Sequence, residues 1–315
     1  MWLDPWLDYL TGNGVAYLLG HKAKEINFAG GQVESVTLES AEGLSEVRAD
    51  YYIFALPVEC MADLLAASHS GTDCVPAFAN IAELKHNVRW MNGVQFFLYE
   101  DVPITRGHLL FADSPWAITG ISEAQFWRQE HLANAGDGTV RGVLSFCISD
   151  WEEPGRFNGK KARDCTDREL AKEVWEEVKQ SVNAGGEELI KDSNLHSWFF
   201  DPDIVDLENG GVLTISDSEP LFINEVNSWS RRPDVEIGVP NMLLASDYIR
   251  TYTDVACMEA ANEAARRAVN ALLRITGSRA APCQLWQLHE PVIFAPFRWH
   301  DKQRFEQGLP WDGKL

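Results

Sequence analysis

The stretch NMLLASDYIRTYTDVACMEAANEAARRAVNALL, residues 241–273, places an acid at the end of a short apolar run and a helix beyond a polar loop. The run Met242–Ala245 reads as a strand, and Asp247 follows at its carboxyl end. Ligands of α/β sheets bind at that end. From Asp254 the pattern turns helical, with an acid in the capping position and Ala256, Ala260, Ala261, Ala264, Ala265 and Ala268 after it. Small side chains allow close backbone approach to another element or to a ligand. A helix start exposes unpaired N–H groups and partial positive charge. The arrangement therefore offers one acceptor and several N–H donors to a single polar ligand. A plain strand-loop-helix with a capped start uses the same residues, and the residue types alone leave both readings open. Glu263 and Arg267 are spaced for an i,i+4 pair on the outer face, and Val269, Leu272 and Leu273 are spaced to bury the second half of the helix.

Other chemistries find less support. No G-x-S-x-G nucleophile elbow is present. The eight histidines are dispersed without an HxxxH pair, and no Cys/His group has zinc spacing, so no metal site is expected. Gly12-x-Gly14 resembles the start of a dinucleotide fingerprint, but Tyr17 takes the third glycine position and the residues before it look helical. The runs Trp151-Glu152-Glu153 and Trp175-Glu176-Glu177 read as solvated faces. Cys60, Cys74, Cys147, Cys165, Cys257 and Cys283 are scattered without a CxxC pair, which suits reduced, buried thiols in a cytoplasmic chain.

The bulk properties bound the class. The chain of 315 residues is 45% hydrophobic with 12 Trp and 15 Phe, enough for a sizeable core. Its net charge of -20 opposes contact with nucleic acid. The longest apolar runs, such as YYIFALPV, are far shorter than the roughly 20 residues that cross a bilayer. The acidic start MWLDPWLDYL is not a secretory signal.

Along the chain, the first twenty residues suggest a Trp- and Leu-rich helix reaching a turn. AKEINFAGGQVESVTLES is a hairpin pattern turning at Gly30-Gly31, and RADYYIFALP is a strand buried on both faces and stopped by Pro57. VECMADLLAAS is helical. NGVQFFLY, GHLLFA, WAITGIS and TVRGVLSFCIS suggest a second, antiparallel sheet. TDRELAKEVWEEVKQSV is an amphipathic helix burying Leu170, Val174, Trp175 and Val178, with Thr166 and Glu169 spaced as a capping box. HSWFFDPDIV and LFINEV return to extended structure. The Pro- and aromatic-rich tail is expected to lie irregularly over the body.

The stretch 241–273 resembles the C-terminal FAD-binding motif of the flavin amine oxidase superfamily, in the branch of carotenoid (phytoene-type) desaturases and hydroxysqualene dehydroxylases. That branch has a strand ending in AGD, a loop with YxRT and a helix opening in MEGANEAARRAVNA. The segments RADYYIFALPVE, MNGVQFFLYEDVPITRGHLLFADSPWAITGISEAQFW, ISDWEEPG and HSWFFDPDIV are similar to the same branch, so the resemblance covers nearly the whole chain. It implies an FAD-dependent oxidoreductase of the desaturase or dehydrogenase type acting on a hydrophobic, isoprenoid-like small molecule. Asp247, beside Ser246, would hold the ribityl or pyrophosphate part of FAD. The backbone at Cys257 and Met258, after Ala256, would meet the flavin pyrimidine edge. Ala23 would touch adenine, and Ala55, Leu56 and Pro57 would end a strand beside the dinucleotide.

The departures matter. Ser246 and Ala260 stand where the family has glycine, adding bulk near the cofactor. Cys257 replaces a ring of the amine oxidase aromatic cage, and Gln95 lies about where many of those enzymes keep a lysine near the flavin. Both favour an uncharged, lipophilic substrate. Trp116, Phe126 and Trp127, in DSPWAITGISEAQFW, together with SWFF, are candidates to line its tunnel, although aromatic segments are more often ordinary core. No catalytic acid or base is identified. The family's N-terminal strand-GxGxxG-helix has no counterpart in the sequence, which suggests the C-terminal part of a longer or split flavoprotein, with a missing FAD-binding segment or chain as partner.

The resulting expectation is an α/β fold plus an antiparallel sheet: a partial, Rossmann-like FAD-binding domain with an inserted α+β substrate domain. Residues 1–85 and 232–280 form the FAD part, 86–231 the substrate domain, and 281–315 the tail. The scattered, reduced cysteines suggest a cytoplasmic location, to which a lipophilic substrate adds the option of peripheral membrane contact. A flavin amine oxidase, and a non-catalytic remnant or partner subunit of a flavoprotein, are the rival readings.

Overall fold

The computed structural model describes residues 3–68, 75–127, 132, 134, 136–209, 212–217 and 219–310. In chain order, the first segment holds α1 (Leu3–Gly12), β1 (Lys22–Ala29), β2 (Gln32–Ser40), β3 (Gly43–Val47), β4 (Tyr52–Phe54), α2 (Val58–Ala67) and α3 (Pro76–Leu84). The middle segment holds β5 (Asn92–Leu98), β6 (His108–Leu110), β7 (Thr119–Ser122), β8 (Gly142–Ile148), α4 (Asp167–Val182), β9 (Leu195–Phe200), β10 (Ile204–Asn209) and β11 (Val212–Asp217). The last holds β12 (Met242–Leu244), α5 (Met258–Ile275) and α6 (Ala295–Glu306). The fold is mixed α/β with antiparallel sheets. It divides into two compact units, residues 1–88 with 222–315, and residues 89–221.

The first unit is built on a three-stranded antiparallel meander, β1-β2-β3, and a two-stranded parallel pair, β4 and β12. Gly30 and Gly31 both have positive φ, which a two-residue turn between right-twisted strands requires. β12 is wholly buried, as its continuous apolar run demands of a parallel strand. Polar side chains pin these layers together. Asn241 accepts from the Val33 N–H at 2.9 Å and donates to the Val33 carbonyl at 2.8 Å, tying the start of β12 to β2. The Tyr52 hydroxyl donates to the Glu34 carbonyl. Ser68, just past α2, accepts from the Ile26 N–H and donates to the Leu64 carbonyl.

Helix α5 covers this sheet through Ala260, Ala264, Ala268 and Ala271, all buried. Their spacing of three or four residues makes one stripe, and the absence of larger side chains brings the helix axis close to β12. Val269 is exposed and Leu272 only partly buried, so alanines rather than the larger residues form the buried face. Among the described residues, no helix is long and apolar enough to cross a membrane.

The second unit is a five-stranded antiparallel sheet of order β9-β5-β8-β7-β6, with a separate β10-β11 hairpin. Helix α4 packs on it through Leu170, Val174, Trp175 and Val178, and its Thr166–Glu169 capping box is formed. Gly120 is required where the Phe146 ring crosses β7: an added Cβ would lie 2.1 Å from that ring.

Three details differ from the sequence reading. Glu177, placed on a solvated face, is buried, because connecting residues such as Ser114 and Arg156 lie beside it on the side of the helix that also carries Glu173. Glu173 is held there by the N–H groups of Phe157 and Asn158. The tail is not wholly irregular, since α6 forms within it behind a 3-10 turn at Val292–Phe294. Cys60 is exposed rather than buried, on the outer side of α2; Cys74 lies outside the described residues.

Replacing Ala264 by Leu should overpack the α5–β12 contact and lower stability by about 1–3 kcal/mol in urea unfolding. The same change at exposed Ala261 should stay within about 0.5 kcal/mol. Equal effects at both positions would contradict the close-approach account.

Candidate functional site

The parallel register sets the site. Met242, Leu243 and Leu244 pair with Tyr52, Ile53 and Phe54, and the Ala245 N–H reaches the Phe54 carbonyl at 2.9 Å. Both strands therefore end at the same edge. Ala55–Pro57 leave one strand and Ser246–Asp247 leave the other, side by side at the carboxyl end. Ala55 and Pro57 are exposed there, and Asp247 is half-buried. Ala23, Leu56 and Ala256 pack partly buried against the same core cluster.

The loop from Ser246 to Cys257 is held by two buried charges. Arg232, only 1% exposed, uses all five of its N–H donors. They reach the carbonyls of Tyr248 (3.0 Å), Asp247 (2.8 Å) and Ile249 (2.6 Å), the Asn224 side-chain oxygen (3.0 Å) and the Asp254 carboxylate. Phe222 and Trp229 lie against the guanidinium with ring centroids 5.7 and 5.3 Å away. Glu263 provides the opposite charge. It accepts from the Tyr252 N–H (2.7 Å), the Thr253 N–H (3.1 Å) and the Thr253 hydroxyl (2.9 Å). Arg267 completes its shell at 2.7 Å.

The loop's carbonyls thus turn to a cation and its amides to an anion. Glu263 is consequently buried under the loop and not on the outer face that its spacing with Arg267 suggested. Asp254 is not the helix cap either. It takes a left-handed conformation (φ 45°), pairs with Arg232, and accepts through its carbonyl from Asn224. The helix begins at Met258 with Cys257 as its cap residue, and no side chain caps it.

Burial acts on each ionisable group here. It pushes the Asp247 carboxyl above its ordinary value, against the opposing pull of the Ser246 hydroxyl and Arg232. It does the same to Asp254, opposed by Arg232, and lowers Arg232, opposed chiefly by Asp254. For Glu263, burial is outweighed by the Tyr252 amide, Arg267 and the Thr253 hydroxyl and amide, and its value falls.

This donor set fits FAD. Asp247 is a partly buried acceptor that takes a hydrogen bond from the Ser246 hydroxyl at 3.3 Å; sugar or ribityl hydroxyls are further donors that such a group suits. The uncapped start of α5 presents amides suited to an electron-rich ring edge. Met258 is 78% exposed at that start. A cavity of about 780 Å³ opens beside it, lined by Trp6, Thr253, Met258, Arg266 and Trp286 among others. Ser246 has no positive φ, so the position does not need the backbone freedom of glycine. Ala260 is buried in the α5 stripe.

The four substrate candidates all lie in the second unit. Gln95 is half-buried at mid-strand in β5, opposite Phe199 and Ser145. Trp116 is fully buried in the core, donating to the Glu153 carbonyl at 3.0 Å. Phe126 and Trp127 are exposed at a 3-10 turn. They do not share one lining with Trp116. Trp198, Phe199 and Phe200, from SWFF, do line a cavity of about 350 Å³. Sequence reading missed Arg232 and paired Glu263 with Arg267 without seeing that Glu263 holds the loop. Their partners are loop backbone groups, and the signal available was only a charged residue at each position.

No protein-family model and no curated protein matches the chain. Among solved structures it is similar to an oxidoreductase from Methanosarcina mazei, with 14% identity, covering 83% of this chain and 52% of that one, at TM-score 0.45. It is also similar to cyclohexylamine oxidase from Brevibacterium oxydans IH-35A (9%, 85% and 52%, 0.46). A geranylgeranyl bacteriochlorophyll reductase-like protein from Thermoplasma acidophilum is a third (12%, 97% and 59%, 0.43). The chain spans a little over half the length of each.

Arg232→Met should cost about 1–3 kcal/mol in chemical unfolding, because it leaves three loop carbonyls without their donor. Arg232→Lys should recover only part of this, since an ammonium cannot reproduce the fork. Loss under about 1 kcal/mol for the Met variant would refute the clamp. Glu263, with a folded value below its ordinary 4.5, stabilises above that pH and loses the contribution as pH falls through its folded value. Glu263→Gln should therefore flatten the acid limb of the stability–pH curve below 4.5. An unchanged acid limb would contradict the assignment.

Proposed function

We propose that this chain forms part of the FAD site of an oxidoreductase of the desaturase or dehydrogenase type, acting on a hydrophobic, isoprenoid-like molecule. The observation that carries the reading is the parallel pairing of β4 with β12. It sets Ala55–Pro57 beside Ser246–Asp247 at one carboxyl edge, joined through a clamped loop to the uncapped start of α5. Three chemically different groups, an exposed turn, a carboxylate and a row of amides, then serve one elongated ligand.

On this reading Asp247 accepts from the hydroxyls of the ribityl or pyrophosphate-bearing part. The amides of Met258 and its successors face the pyrimidine edge, Cys257 and Ala256 border it, and Ala23 with Leu56 forms the adenine side. Bound FAD would supply the two-electron oxidation. The chain's own part is to hold and orient. Arg232 and Glu263 fix the loop before binding, so little ordering entropy is lost on association. The first unit then belongs to the FAD domain. The second is the inserted α+β substrate domain, with Gln95, Phe126 and Trp127 as substrate contacts, while Trp116 is buried in its core. The glycine turn that grips the pyrophosphate comes from another segment or chain.

Equilibrium dialysis against FAD tests this. Asp247→Ala should weaken binding about 10- to 100-fold, the range for a lost hydrogen bond to a charged group. Ser246→Gly should not weaken it. Equal affinity for wild type and Asp247→Ala would remove the basis of the reading. Release of peroxide with an amine substrate would favour an amine oxidase over the desaturase type.

A further inference from the structure

Three elements of the second unit bring side-chain oxygens to one point. Asn92 opens β5, Asp201 follows β9 and Asp217 ends β11. The Asp201 N–H bonds the Gly93 carbonyl at 3.0 Å, and the hairpin register sets Asp217 opposite Ile204, so both acids return to the start of β5. The Asn92 amide is aimed between them. Its nitrogen lies 3.5 Å from Asp201 Oδ2 and 3.5 Å from Asp217 Oδ1, beyond the roughly 2.7–3.2 Å of a good N–H···O bond. Asn92 is only 3% exposed, and its Oδ1 is buried without a hydrogen-bond partner. Asp217 Oδ2 is buried and unpartnered as well. Local amides fix both carboxylates, since the Asp203 N–H donates to Asp201 and the Glu219 N–H to Asp217, each at 3.0 Å. Asp201 and Asp203 both act on Asp217 with like charge, and no lysine or arginine forms an ion pair with Asp201 or Asp217 among the described residues. Buried oxygens without donors and like charges held together are both unfavourable. One cation between them relieves both.

We propose that Asn92, Asp201 and Asp217 bind one calcium ion, which fastens the β10–β11 hairpin to the start of β5. Every ligand is an oxygen, which suits a hard cation, and none is the thiolate or imidazole that zinc or copper prefers. Two ligands are acids and the third is an amide. The site is therefore compatible with the absence, among the described residues, of any group of three His, Cys, Asp or Glu side chains able to hold a metal. Half a turn of the Asn92 amide exchanges its nitrogen and oxygen and presents Oδ1 to both carboxylates. Neighbouring oxygens around calcium, each about 2.3–2.6 Å from the ion, stand roughly 3.3–3.7 Å apart, and around magnesium about 2.8–3.0 Å apart. The two separations of 3.5 Å at Asn92 match calcium. Water fills the rest of its roughly six to eight positions. The site lies wholly in the second unit and does not depend on the FAD reading.

Calcium titration of the full chain without FAD tests the inference, followed by amide NMR and equilibrium dialysis. Salt at about 0.15 M screens the acidic surface. One ion should bind at this site with a Kd of about 0.1–1 mM, the range of calcium sites with few charged ligands. Amide shifts should centre on Asn92, Asp201, Asp203, Asp217 and Glu219. Magnesium should bind about tenfold more weakly or worse. Asp217→Asn should weaken calcium binding by about tenfold or more, whereas Asn92→Asp, which adds a third carboxylate, should tighten it by about tenfold. A purely hydrogen-bonding role for Asn92 predicts no calcium binding in any of the three proteins. The wild-type shift map decides the matter even where a variant does not fold. No saturable shift at these residues up to about 10 mM calcium, well above that Kd, would overturn the inference. So would saturation confined to other acidic surfaces. Magnesium binding as tight as calcium would overturn the choice of ion.

Discussion

A buried guanidinium with every donor occupied is the constraint on which the rest of the first unit depends. Arg232 is distant in sequence from the loop it holds, yet it binds three consecutive loop carbonyls and Asp254. Burying a charge is costly unless its partners are close and complete. Five oxygens around one planar cation meet that condition in one backbone conformation. The loop is therefore not free to choose its path between β12 and α5. Asp254 can hold a left-handed backbone, unfavourable for a side chain with a Cβ, because Arg232 and Asn224 grip it on both sides.

The same device recurs with the sign reversed. Glu263 gathers loop amides in the first unit, and Glu173 gathers the amides of Phe157 and Asn158 in the second. In each case a helix presents a buried carboxylate, and an irregular segment supplies the N–H groups that would otherwise be unsatisfied. Asn241 does this for a strand, answering the donor and the acceptor of Val33 at once. The apolar core determines which layers meet. These polar pins determine how the connecting segments run across them, and so where Asp247 and the start of α5 are placed.

Much of this was legible in the sequence where the signal was local. The Gly30-Gly31 turn, the Thr166–Glu169 cap and the strand preceding Asp247 each rest on neighbouring residues. The site edge was legible in part, because the apolar strands and their stops at Pro57 and Asp247 were visible, although their adjacency required the parallel register. What was not legible depends on partners far along the chain. Asp254 has the composition of a helix cap, but Arg232 outcompetes the helix for it. Glu263 with Arg267 has the spacing of a surface pair, but the loop folds over it. The alanines of α5 indicated close approach without naming the neighbour, which is β12.

The central claim is that the loop is pre-formed and that the strand ends and the α5 start serve one ligand. Backbone amide NMR of the full chain during an FAD titration tests this most directly. The account predicts shifts concentrated at residues 55–57, 246–248 and 257–260, while the loop amides of Tyr252 and Thr253 are protected from exchange before any FAD is added. Shifts confined to other surfaces, or loop amides that become protected only on binding, would contradict it.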